Sequence, residues 1–318
     1  MPQEQMIEKW QGEVFTFVIG ATKQEGGTRG SVVKVGGEKT LPFLHKEGEL
    51  PNPAVVALEI FDVPPVDWPQ DLTAAYGGVL SNPLEWADAC VKKFGAELLC
   101  VRLAGAHPDY GNRTPDQEAA FLAKLAGTVN VPLIVRGCGD DAKDNAVLPL
   151  CSEVLKGERC LFGSAVQENY KTLTAAVTAD GHGIIAESPI DLNIAKQLNI
   201  LISDLGLPLE RIVMDPTIGA LGYGLEYAYS IMERARLAAL SGDRNVACPF
   251  ICFTGQETWK VKEAFAEKAD FPHWGEREKR GILWEAVTAS ALLQAGADIL
   301  VMRHPNAAEE IKKYAGNR

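Results

Sequence analysis

The chain has 318 residues, 47% hydrophobic and 23% charged, which is a globular composition at a length that fits one barrel with insertions. Its net charge of −11 argues against a nucleic-acid role, because phosphate neutralisation needs a dense Lys/Arg surface. The polar start Met1-Pro2-Gln3-Glu4-Gln5, the absence of a membrane-length apolar run and seven irregularly spaced cysteines lead us to expect a cytoplasmic protein with free thiols.

In chain order, residues 14–19 and 31–35 read as two strands joined by a Gly-rich loop, a hairpin expected to cover one end of a larger unit. The GGTRG run at 26–30 lacks the GxxxxGK[ST] pattern and no helix follows it, so it reads as a flexible turn and not a phosphate cradle. From residue 54, β-branched runs alternate with amphipathic stretches. The strand candidates are 54–61, 98–105, 132–138, 160–166, 183–188, 212–217, 249–254 and 298–304. Eight strands, nearly all separated by helix-length segments, point to parallel pairing through right-handed crossovers. The expected architecture is a (β/α)8 TIM barrel over 51–318 with an N-terminal hairpin extension over 1–50; an open doubly wound sheet is the competing arrangement. Apolar stripes at helical spacing support the crossovers: Leu84, Ala87, Val91 and Phe94; Ile194, Leu198, Leu201 and Leu205; Leu225, Ala228, Met232, Ala235 and Ala239. Ser81-Asn82-Pro83 and Thr114-Pro115-Asp116 read as helix starts.

Barrel sites lie at the carboxyl ends of the strands. Charges interrupt the apolar strands near those ends: Glu59, Arg102, Arg136, Glu187, Asp215 and Arg303. A lone buried charge costs several kcal/mol, so these residues must pair or face water. Two readings stand, an ion-pair network bracing the mouth or polar groups presented to a ligand. In a closed barrel Arg303, Glu59 and Arg102 fall side by side, as do Glu187 and Asp215. The segments 62–82, 106–113 and 255–281 are long and aromatic, carrying Trp68, Tyr76, Tyr110, Trp259, Phe265, Phe271 and Trp274. They serve as docking surface or pack their own loops.

Motif searches are mostly negative. No HxxxH or CxxC metal pattern, no cluster-forming cysteine spacing and no GxSxG elbow appears, and Cys248 and Cys252 read as core. No catalytic set and no metal site is assigned. His107, His182 and His304 read as solvated or hydrogen-bonded, and Asp180-Gly181-His182 fails to complete a DxHxxG cobalamin motif. Asp215-Pro216-Thr217-Ile218-Gly219 looks like the DPxxG strand-end signature of pterin-binding barrels, in which that aspartate sits in the pterin pocket.

The stretch Val35-Gly36-Gly37-Glu38-Lys39-Thr40-Leu41-Pro42-Phe43-Leu44, then Pro51-Asn52-Pro53, the strand Val56-Ala57-Leu58-Glu59 and the Asp215–Gly219 turn carry a resemblance over nearly the whole chain. It resembles the small (delta) subunits of the corrinoid/iron-sulfur protein of the acetyl-CoA decarbonylase/synthase (Wood-Ljungdahl) system of anaerobes. The resemblance implies a methyl-carrier subunit, non-catalytic by itself, in a heterodimer with a large subunit that bears the [4Fe-4S] cluster and a corrinoid (cobamide). It further implies that the corrinoid lies at the subunit interface, capped by this barrel's mouth, between methyltetrahydrofolate methyltransferase as methyl source and acetyl-CoA synthase as recipient. Arg102, Arg136, Glu187, Asp215, Thr217, Thr254 and Arg303 are then expected to border the corrinoid. The alternative is a pterin-dependent methyltransferase with folate in the barrel mouth, held by Asp215. The strand ends Gly137-Cys138 and Ser164-Ala165 lack the Asn or Asp partners that reading wants.

Overall fold

Period-two alternation sends successive side chains of a strand to opposite faces, and here both faces are apolar, as buried parallel strands require. The computed structural model describes residues 7–44, 46–188 and 190–316; the polar start at 1–5 lies outside them. Its first sheet is a hairpin, β1 (Thr16–Ile19) antiparallel to β2 (Val33–Gly36). The remaining strands are β3 (Val55–Phe61), β4 (Leu99–Arg102), β5 (Leu133–Arg136), β6 (Leu161–Ala165), β7 (Gly183–Glu187), β8 (Ile212–Asp215), β9 (Ile251–Cys252) and β10 (Ile299–Met302). They run parallel in the order β8-β7-β6-β5-β4-β3-β10-β9. A bridge between Met214 and Phe250 joins the two ends, with the Met214 amide donating to the Pro249 carbonyl at 2.8 Å. The chain is a (β/α)8 barrel, and the open-sheet alternative falls.

Along β3, Val56, Leu58 and Ile60 pack outward among helix side chains, while Ala57 joins the interior with Cys100, Ile134, Leu161, Ile185, Val213, Ile251 and Ile299. The hairpin belongs to that interior. Phe17, Ile19, Val33 and Val35 share its apolar cluster and plug the amino end of the barrel. A Cβ on Gly183 would lie 2.3 Å from the Phe17 ring, so only glycine at the start of β7 admits the plug. The loop above it is not the flexible turn expected. Arg29 is buried, with Nε on Glu158 at 2.7 Å and its Nη groups on the carbonyls of Ala126, Val129 and Val131. A buried guanidinium must satisfy its donors, and this one does so by fixing the loop.

Helix Pro83–Lys92 starts with Asn82 accepting from the Leu84 amide, and helix Pro115–Thr128 with a Thr114/Gln117 capping box. The expected stripe on helix Leu192–Asp204 is rotated. Ile194 and Leu205 are 45% and 48% exposed, and the buried face is Ala195, Leu198, Asn199 and Ile202. Asn199 turns inward because its amide donates to the Asn245 carbonyl at 2.8 Å. Among the described residues no helix is long and apolar enough to cross a membrane. All seven cysteines are buried free thiols.

Candidate functional site

Six of the eight barrel strands carry a charged residue at or near the carboxyl end, above the apolar interior. Glu59 on β3, Arg102 on β4, Arg136 on β5, Glu187 on β7 and Asp215 on β8 are consecutive inward positions, and Arg303 follows β10 directly. The register sets Arg102 beside Arg136 and Glu187 beside Asp215.

Arg303 and Glu59 form a buried pair, Nε to Oε2 at 2.5 Å, with Glu59 fully enclosed. Burial pushes the Glu59 carboxyl up, but Arg303, Arg102 and Arg136 outweigh it and hold the group below its ordinary value. The expected neighbourhood of Arg303, Glu59 and Arg102 is present on the adjacent strands β10, β3 and β4, but among the described residues no carboxylate is within ion-pair distance of Arg102. Its guanidinium reaches Gln256 Oε1 at 3.4 Å and the Cys138 carbonyl at 3.3 Å. Arg136 donates to the same Gln256 oxygen at 2.5 Å, lies 3.7 Å from Glu187 and stacks over Phe253 at 3.8 Å. On the opposite side burial pushes the Asp215 carboxyl up to about 7, with the Glu187 charge adding to the effect. Asp215 Oδ1 accepts the Thr217 amide at 2.9 Å.

The seven residues assigned from the resemblance do not share one cavity. Arg102 and Arg303 line a pocket of about 460 Å³ together with Phe61, Trp68, Gln256 and Trp259. Glu187 and Thr217 line a separate cleft of about 710 Å³ beside Tyr170 and Leu198. Arg136 and Asp215 line neither of these two cavities. Thr254 is fully buried, its hydroxyl reaching the Cys252 carbonyl at 3.4 Å. Thr217 is exposed but its hydroxyl donates to the Ser188 carbonyl at 2.7 Å.

The loop aromatics divide the same way. Trp68 and Tyr76 are buried in an edge-to-face cluster with Phe61, Trp86 and Phe94, and the Tyr76 hydroxyl donates to the Arg303 carbonyl at 2.5 Å. Trp259 is buried and stacks on His304. Tyr76 braces the mouth from behind, whereas Trp68 and Trp259, though largely buried, also present an edge to the mouth cavity. Tyr110 and Phe265 remain exposed. His182 is buried and hydrogen-bonded to the Cys160 amide and the Ser152 carbonyl.

Two residues were missed. Gln256, two positions into the helix after β9, bridges Arg102 and Arg136; its place just past a strand end was the available signal. Glu285, inside helix Arg277–Ala295, accepts from the Arg303 amide at 2.6 Å, the His304 amide at 3.1 Å and Trp259 Nε1 at 2.8 Å. Burial pushes its carboxyl up to about 7 despite those donors. Nothing in a mid-helix Glu marks it in advance.

Comparison with known proteins now bears on this mouth. The family model described as CO dehydrogenase/acetyl-CoA synthase delta subunit matches residues 18–312. The chain is 37% identical over 311 residues to the acetyl-CoA decarbonylase/synthase complex subunit delta of Methanocaldococcus jannaschii, covering 98% of this chain and 75% of that one. It is equally similar, 37% over 313 residues, to subunit delta of Archaeoglobus fulgidus, covering 96% and 68%. Among solved structures it is similar to dihydropteroate synthase of Xanthomonas albilineans with 4-aminobenzoic acid, with a TM-score of 0.56 at 13% identity over 83% of this chain and 92% of that one. The Thermus thermophilus dihydropteroate synthase gives 0.54 at 14%, over 83% and 94%. At such identity the likeness is one of fold.

Proposed function

Because this chain belongs to the CO dehydrogenase/acetyl-CoA synthase delta subunit family, we propose that it is the small subunit of a corrinoid/iron-sulfur methyl carrier. It would pair with a large subunit that bears the [4Fe-4S] cluster and the corrinoid, in the reducing cytoplasm of an anaerobe. When bound at the interface, the corrinoid supplies the cobalt that takes a methyl group from methyltetrahydrofolate, through a methyltransferase, and yields it to acetyl-CoA synthase.

The observation that carries this reading is the polar layer on the carboxyl rim. The residues present fit a corrinoid, whose peripheral amides offer both donors and acceptors. Glu59 Oε1, Arg102 Nε and Ser164 Oγ are buried in or beside that layer without a partner in the chain, and orphaned buried polar atoms are costly unless a ligand or water completes them. Arg102, Arg136 and Arg303 would meet amide carbonyls, and Glu187 and Asp215 would meet amide N–H groups. Thr217 and Thr254 contribute position more than hydrogen bonds, since both hydroxyls are engaged with backbone carbonyls.

The chain's work in this scheme is enclosure and orientation, with no proton to move. Covering about 300 Å² of macrocycle at 25 cal/mol per Å² contributes at most roughly 7 kcal/mol before association costs. That holds a cap closed yet lets it open, as access by two different enzymes requires.

Co-expression with the large subunit and anaerobic co-purification test the reading. A cobalt chromophore should travel with both chains, and an Arg136→Met/Glu187→Gln pair should lower corrinoid occupancy without unfolding the barrel. Full occupancy in that variant would overturn the assignment. A second reading, pterin binding at Asp215, draws on the DPxxG turn and the partly protonated carboxyl beside Glu187. Titrating the free chain with methyltetrahydrofolate separates the two, micromolar binding favouring the pterin site.

A further inference from the structure

Arg102 is the cation that the mouth leaves without a carboxylate. Arg303 is held by Glu59, Arg136 stands 3.7 Å from Glu187, Lys260 is held by Glu257 at 2.7 Å and Arg113 by Asp62 at 2.9 Å. Among the described residues no carboxylate comes within ion-pair reach of Arg102. Its two hydrogen bonds are long, 3.3 and 3.4 Å, and its Nε is buried with no acceptor. Burial depresses the guanidinium below its ordinary value, and the nearby Glu59 charge, already paired with Arg303, offsets that only in part.

That guanidinium faces the cavity of about 460 Å³ between the loops after β3 and β4, a size usual for small-molecule sites. The lining holds Arg102, Lys260 and Arg303 against a single carboxylate, Asp67. Asp67 is engaged, because the Tyr110 hydroxyl donates to its Oδ2 at 2.5 Å and latches the two loops together. Glu59 lies beneath, fully buried and outside the lining. The remaining wall is apolar and stiff. Phe61, Val63 and Trp68 provide flat surface, and Pro64, Pro65 and Pro69 fix the backbone, which lowers the ordering cost of binding.

We propose that this cavity binds a small ligand carrying one carboxylate on a planar apolar body, with the carboxylate on Arg102 and the ring against Phe61 and Trp68. One unpaired guanidinium matches one carboxylate, and its planar fork suits bidentate capture of that group. The inference goes beyond the carrier reading and needs no partner chain. Because Arg102 also belongs to the rim assigned to the corrinoid, the test uses the free full-length chain, where the two readings fail separately.

Benzoate, benzamide and inorganic phosphate are the probes, followed by calorimetry and by fluorescence of Trp68 and Trp259, both in the lining. Benzoate should bind saturably in the millimolar range or tighter, with benzamide and phosphate at least about tenfold weaker. Arg102→Met should weaken benzoate at least about tenfold. Val66→Asp, at a rim position 70% exposed and safe for folding, should weaken it several-fold by adding a like charge. Equal binding of benzamide and benzoate, unchanged benzoate affinity in either variant, or no response up to roughly 20 mM benzoate would each overturn the proposal.

Discussion

Replacing Arg303 by Met tests whether the mouth layer is held by charge compensation. The substitution keeps much of the side-chain volume but strips from Glu59 its hydrogen-bonding partner among the described residues, when the second carboxylate oxygen already lacks one. At an effective dielectric of 20, unit charges about 4 Å apart attract by roughly 4 kcal/mol, and removing one member of a buried pair typically costs about 3–5 kcal/mol. Arg102 and Arg136 also lower the Glu59 carboxyl and offset part of the loss, which favours the lower end of that range. Arg303 further lies over the rings of Phe61 and Trp68, at 5.4 and 5.2 Å from their centroids, a contact worth up to about 1 kcal/mol. We therefore expect about 3–4 kcal/mol of destabilisation, read by urea unfolding under far-ultraviolet circular dichroism. The double variant Arg303→Met/Glu59→Leu should recover most of it, because neither charge is then stranded. A single variant within about 1 kcal/mol of the parent, or a double variant no better than the single, would refute the reasoning.

Asp215 predicts a pH dependence. Its folded value near 7 lies above the ordinary 3.8, so the native chain keeps a proton that the unfolded chain releases. That contribution to stability is complete below about pH 4 and is lost as pH rises through 7; Asp215→Asn should flatten this part of the profile, and an unchanged slope would count against it. Gly183→Ala should cost about 1–3 kcal/mol by driving a methyl into the Phe17 ring, and Gly183→Ala/Phe17→Leu should regain part of that in thermal melts. The seven thiols should resist Ellman's reagent in the native state, since burial pushes Cys90, Cys138, Cys160 and Cys248 up to about 12 and holds Cys100, Cys151 and Cys252 well above the ordinary thiol range. Cys138, which lines the mouth cavity, should be the first to react, and fast labelling of another would contradict the packing described.

The barrel was legible because its strands are apolar runs, six of the eight closed by a charge, and period-two alternation fixes which of those charges point inward. Every one of the six charged strand-end residues faces the interior layer or the cavity above it. Strand β9 came out far shorter than the 249–254 run, because Pro249 has no amide hydrogen to give the ladder and Phe253 already turns toward the following helix. Glu285 and Gln256 were invisible for a different reason. Their roles come from contacts across the fold, Glu285 with backbone amides 18 and 19 residues away and Gln256 with arginines more than 100 residues distant. The loop aromatics were ambiguous since a Trp that packs inward and one that faces a partner look alike in a single sequence.

The distribution of charge in the layer argues that something besides stability shaped it. Setting like charges on adjacent strands, Arg102 beside Arg136 and Glu187 beside Asp215, is destabilising, and exchanging one residue of each pair would have given two cross-strand ion pairs instead. The mouth is instead polarised, cationic over β10, β4 and β5 and anionic over β7 and β8. Phe17, Ile19, Val33 and Val35 pack into the interior at the other end, while the two cavities lined by mouth residues lie at the carboxyl rim. A ligand whose edge presents carbonyls on one side and N–H groups on the other satisfies both halves at once, as a ring of carboxamides does. This concentration of like charges on neighbouring strands supports the carboxyl rim as the proposed binding surface.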